Sequence, residues 1–266
     1  MFKFISLSTL FLFAFGTTVL AQKKTNSAYP TDKYREFVPI APIEYFDNVE
    51  ISSATEGVKV KYIKTLTKTE MLKFLTNETV LTAVAEVDKS GEVTYIPTRI
   101  SKKGKQYIIT MDYVKFTTID IKAEGERTGE ACVGIGFRIV ANISSKAENV
   151  NLADLFSIGM AVKEKKVYGS LRVEAIGLHD PQITSTIPLP SEISSATIQS
   201  MMQTMSVIKY KMYEENIDLS PQILSARAVK EGVAFSEILS AVMNYHDLGK
   251  KNANQSINST TTEVKD

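Results

Sequence analysis

The chain is poor in the residues that build covalent frameworks and metal sites. Its 266 residues include one cysteine, two histidines and no tryptophan. A single thiol excludes an intrachain disulfide framework and a cysteine-rich zinc site. So few soft ligands argue against a soft-metal centre, and no acidic cluster has the density of a calcium loop. Neither sign of charge is in excess: 31 Lys and Arg stand against 30 Asp and Glu. That balance argues against an electrostatically driven nucleic-acid binder, which needs a basic face. After the first twenty residues no stretch approaches the ~18 apolar residues of a spanning helix. Also missing are GxxxxGK[ST], HExxH, DxDxDG and GxSxG, so no cofactor, metal or catalytic motif is assigned. What remains is globular in character, 44% hydrophobic and 23% charged, and long enough for a sizeable core.

Residues 1–21 read as a secretory leader. Lys3 supplies the positive start, Phe4 to Phe15 the apolar run, and Val19-Leu20-Ala21 small residues at the two positions read for a cut ahead of Gln22. The Phe-rich centre and the glutamine after the cut resemble leaders of Gram-negative bacterial exports. Localisation is therefore expected to be exported, periplasmic or extracellular. No transmembrane segment is expected once the leader is removed. Residues 22–48 carry Pro30, Pro39 and Pro42 and are expected to form an arm or linker. Its apolar second half, from Phe37 to Phe46, suggests docking. Residues 49–249 are expected to form one domain, and the polar tail 250–266 to be disordered.

Within the domain the pattern is mostly of period two. Val58, Val60 and Tyr62 alternate with lysines, and Asp88-Lys89-Ser90-Gly91 and Ser101 to Lys105 are turn signals between β-prone runs. Ala131 to Ile143 is the clearest strand, with Val133, Ile135, Phe137, Ile139, Ala141 and Ile143 on one face. Met160 to Val162 and Val167 to Ile176 are read as strands joined by Glu164-Lys165-Lys166. Three helices interrupt them. Thr67 to Glu70 has capping-box form. Ser191 caps a helix to about Glu215 with an apolar stripe at Ile198, Met201, Met202, Met205, Ile208 and Met212. A third begins after Gly232 and is expected to end at Gly249. The fold class is α+β: a largely antiparallel sheet, sandwich- or open-barrel-like, with one long amphipathic helix packed across it and a C-terminal helix.

The second face of the Ala131 strand carries Cys132, Gly134, Gly136 and Arg138. Paired glycines on one face mark a close approach, for which the methionine-lined helix is the expected partner. Gly134, Gly136, Arg138, Met201 and Met205 are therefore the candidate ligand-binding residues. Gly134-Ile135-Gly136 lacks the third glycine and the following helix of a dinucleotide fingerprint. Arg138, Arg172, Glu174 and Asp112 are most simply solvated strand charges, although an Arg138–Glu174 pair inside the fold would make a buried site. His179 at the His-Asp-Pro turn, with Cys132 or a serine, is a candidate hydrolytic pair of low specificity. His246 falls beside the apolar stripe of the last helix.

These features favour an exported, non-catalytic binding or structural protein of a bacterial cell envelope. Its partner is an unknown protein or a small apolar ligand. The alternatives are a carrier holding such a ligand between sheet and helix, and an exported hydrolase built on His179.

Overall fold

A computed structural model describes residues 36–53, 57–123 and 125–260. The expected leader and the first half of the arm lie outside the described residues. In chain order the strands are β1 (Val38–Glu44), β2 (Asn48–Ser53), β3 (Gly57–Tyr62), β4 (Asn77–Val87), β5 (Val93–Ile96), β6 (Gln106–Ala123) and β7 (Glu126–Ser145). They continue with β8 (Val167–Ile176), β9 (Leu178–His179), β10 (Ser191–Glu192), β11 (Asp218–Leu219) and β12 (Gln222–Ala228). The helices are α1 (Lys68–Phe74), α2 (Leu155–Lys163), α3 (Pro181–Thr186), α4 (Ser195–Lys211) and α5 (Phe235–Thr260).

The main sheet has eight strands, runs antiparallel in the order β1-β12-β7-β6-β4-β5, and curls into a nearly closed barrel. Its axis is β7. Strand β6 pairs along the whole of one edge of β7, while the other edge is shared: β12 takes Gly129 to Gly134 and β8 takes Gly136 to Ser145. The exchange of partners is a fork, beyond which β9 and β11 pair with each other. Every residue from Ala131 to Ala141 is buried. The predicted apolar face of β7 joins the main core, where it meets Leu155, Ile158, Ile198, Met201, Phe235 and Ile238 from the helices. The opposite face forms a smaller cluster of Val114, Phe116, Cys132, Ile176 and Leu224 on the inner side of the curl.

Local chemistry sets most element ends. Thr67 and Glu70 close the predicted capping box of α1. Asp88 accepts from the N–H groups of Ser90 and Glu92, and Gly91 turns with φ +85°, as the turn signal requires. Helix α4 starts later than expected, because Ser194, not Ser191, caps it, in a capping box with Thr197.

Four expectations are corrected. Arm residues 38–44 are not a linker: they form β1, paired with β12 as an edge strand, where prolines are tolerated because no further strand needs their N–H. Met160 to Val162 is not a strand but the end of α2. Asp154 caps that helix, and Leu155, Ile158 and Ala161 recur at helical spacing on its buried face. The tail is not unstructured from residue 250, since α5 continues to Thr260. Gly249 does not end α5 because it serves packing instead: a Cβ there would lie 2.1 Å from the carbonyl oxygen of Phe46.

Candidate functional site

A cavity of about 460 Å³ lies between α4 and strands β4, β6 and β7. Its floor is the stacked pair of Tyr113 and Phe137, ring centroids 5.0 Å apart, brought opposite each other by the β6–β7 register. Val80 and Thr79 of β4 form one wall. The roof is α4, from which Met202, Met205, Ile208 and Met212 face inward. Helical spacing at positions 205, 208 and 212 puts these residues on one stripe. Thioethers without branching suit a wall that adapts to its contents.

Charged groups stand at the rim and satisfy one another. Glu78 accepts from Lys209 at 2.7 Å and from the Tyr213 hydroxyl at 2.8 Å. Those bonds hold its carboxyl below the ordinary range. Burial, helped by Glu78, pushes Tyr213 up to about 12. Near neutral pH both groups keep one protonation state, so neither is poised to exchange protons with a bound molecule.

The five candidate residues separate. Gly136 and Met205 line the cavity. Met201 does not, being 1% exposed in the main core. Gly134 lies on the inner side of the curl, where a Cβ would meet the Lys115 carbonyl at 2.6 Å and Phe116 at 2.8 Å. At Gly136, φ is +147° and a Cβ would lie 2.2 Å from the Tyr113 carbonyl. The close approach marked by both glycines is therefore that of the neighbouring strand β6, not of the methionine helix. Antiparallel strands stand about 4.8 Å apart, and beside β6 neither glycine has room for a side chain.

Arg138 and Asp112 are not solvated. They are 5% and 1% exposed and paired directly across β6 and β7. Arg138 Nε donates to Asp112 Oδ1 at 2.6 Å, and a terminal nitrogen donates to Oδ2 at 2.8 Å. The guanidinium also donates to the carbonyls of Leu224 and Ile40. Leu224 is the bulged residue of β12 against β7, and Ile40 lies in the irregular stretch of β1. Arg138 thus satisfies carbonyls that the ladders leave free, which makes it a structural tie. Burial raises the Asp112 carboxyl against the pull of Arg138. Glu174 faces Arg138 in register but pairs at the surface with Arg172.

Cys132 and His179 are not brought together. Cys132 is wholly buried on the inner side, and burial pushes its thiol up to about 12. His179 is exposed on β9 opposite Asp218. His246 is half-buried, its Nδ1 2.8 Å from the Glu44 carbonyl and its ring against Phe46. Among the described residues no group of three or more His, Cys, Asp or Glu is placed to hold a metal ion, and no helix is long and apolar enough to cross a membrane.

Spacing alone marks Met205 and Gly136 as candidate lining residues; it places Phe137 on an apolar strand face and does not bring Tyr113 or Val80 to it. Those three meet only through the pairing of β4, β6 and β7, and their pairwise register carries no local signal. No family model, curated protein or solved structure matches the chain.

Proposed function

We propose that the protein is an exported, non-catalytic binding protein that carries a small apolar molecule between α4 and the main sheet. The observation that carries this reading is the composition of the cavity: three methionines above, a stacked Tyr–Phe pair below, and rim charges paired with each other. Its volume falls in the range of small-molecule sites, which are mainly apolar with a few polar groups fixing orientation. In this reading α4 is the long amphipathic helix laid across the sheet. Its Met202, Met205 and Met212 side chains form an adjustable lid, and Ile198 and Met201 anchor it to the core. The ligand's apolar part lies against Tyr113 and Phe137. A polar end, if the ligand has one, reaches Ser206 or the Glu78–Lys209 pair at the rim.

Native mass spectrometry of the mature protein purified from its host tests the reading. The expected result is a bound small molecule that leaves on denaturation and is absent from Met205→Trp, whose indole fills the cavity. A wild-type protein that carries no adduct and takes up no lauric acid when titrated overturns it.

A further inference from the structure

We infer that the end of the main sheet where β6 begins and β7 ends is a docking face for a lipid surface rich in anionic headgroups. Three loops meet there and are knitted by backbone hydrogen bonds. Gly104 N–H donates to the Ser145 carbonyl, Ser145 N–H to Lys105, Lys146 N–H to Lys166, and Ser101 N–H to Val150. Their side chains form a basic surface on a chain whose overall charge is nearly balanced. Lys102, Lys103, Lys146, Lys163 and Lys165 are all exposed and make no salt bridge among the described residues. The acids in reach are largely occupied. Glu86 pairs with Lys105 at 2.5 Å, Glu164 pairs with Lys166 at 2.5 Å, and Asp88 is engaged by its own turn. Glu148 is the acid of these loops left without a partner among the described residues.

A cleft of about 340 Å³ opens in this surface, lined by Lys103, Lys105, Lys146, Ser144 and Tyr168. Tyr168 is 53% exposed and lies under the Lys146 ammonium, 4.6 Å from the ring centroid. The cleft offers ammonium and hydroxyl donors of the kind that grip a phosphate group.

Neighbouring apolar side chains decide between a lipid surface and a soluble polyanion. Phe156 is 64% exposed, and Met160 and Lys163 follow it at i+4 and i+7 on the outward stripe of α2. Ile100, also exposed, is bridged to Asn151 just ahead of that helix. Exposed Phe, Met and Ile beside lysines match an interfacial surface, where apolar groups enter the acyl boundary and ammonium groups reach headgroups. Each lysine near such a surface contributes roughly fivefold in affinity, screened by salt.

Co-sedimentation of the mature protein with vesicles tests this. One set is pure phosphatidylcholine, and in the other a third of the lipid is phosphatidylglycerol. Binding is expected to the second set alone and to fall as salt rises. The double variant Lys103→Glu with Lys146→Glu should weaken it at least about twentyfold. Lys73→Glu with Lys122→Glu carries the same net charge, lies elsewhere, and should bind like wild type. Phe156→Ser with Met160→Ser should weaken binding about tenfold. Circular dichroism confirms that each variant is folded. Equal binding to both vesicle sets, no binding, or equal loss in the two lysine variants overturns the proposal. So does heparin binding without vesicle binding, or full affinity in the Phe156/Met160 variant.

Discussion

Arg138 and Asp112 face each other across β6 and β7 and share two charge-assisted hydrogen bonds in the interior of the curled sheet. The pair is more than a neutralised charge. Through its bonds to Ile40 and Leu224, the same guanidinium links β7 to the two strands that follow on its β12 side. Asp112→Asn keeps the shape but leaves a buried cation without its counter-charge. The expected cost is about 3–5 kcal/mol, read as a lower midpoint in urea denaturation. Asp112→Leu with Arg138→Met should recover only part of it, because the two bulge carbonyls then lack a donor.

Gly249→Ala separates a packing role from a helix-ending one. On an exposed helix this change would add about 1 kcal/mol of stability. Here the new methyl would meet the Phe46 carbonyl at 2.1 Å. Thermal melting should show a net loss of about 1–2 kcal/mol, the range for forced overpacking. A raised melting temperature would show that α5 does not seat on Phe46.

The Glu70 carboxyl is held down to about 2 by the Lys61 ammonium and by the Thr67 N–H that it caps. A depressed carboxyl stabilises the fold above its ordinary value of 4.5, and that contribution is lost as pH falls toward 2. Glu70→Gln keeps an acceptor for the cap but does not titrate. The stability difference between wild type and Glu70→Gln should therefore shrink across that window and be flat above it, as measured by urea titration at a series of pH values.

Cys132 should be inert in the native protein. Its thiol is buried beside Phe116 and Leu224 and is raised to about 12, so thiolate is scarce at neutral pH. Reaction with a disulfide reagent should be slow and should follow the global unfolding equilibrium as urea is added. Rapid labelling without denaturant would show that the inside of the curl opens locally.

Gly136→Ala tests the fork in β7. The substitution forces a side chain into φ +147° and against the Tyr113 carbonyl. A loss of at least about 2 kcal/mol is expected in equilibrium denaturation.

The readable parts of the fold are those with local causes. Thr67 and Glu70 announce α1, Asp88 to Gly91 announces a turn, and the alternation from Val133 to Ile143 announces β7. The corrected parts have distant causes. Asp112 and Arg138 look like two separate strand charges until β6 and β7 are set in register. Pro39 and Pro42 suggest a linker until β12, from the far end of the chain, supplies a partner. Met160-Ala161-Val162 is too short to show a period, and Asp154 decides it. The same division holds at the cavity. The stripe on α4 is visible from spacing, but which of its methionines are core and which are lining depends on how α4 is turned over Phe137.

The exchange of partners along β7 has a consequence for the order of assembly. One half of that strand's edge can be completed by β8, which follows soon after it in the chain. The other half, and β1 with it, must wait for β12, near the end of the described chain. Pairings of such large sequence separation form late, because the loop must close before its contacts repay the entropy. A chain emerging in order from a ribosome or a translocation pore would therefore hold β1 without its β12 partner until residues 222–228 had followed. The β12 and β1 side of the sheet is completed last, and a truncation after α4 should leave an open and aggregation-prone sheet edge.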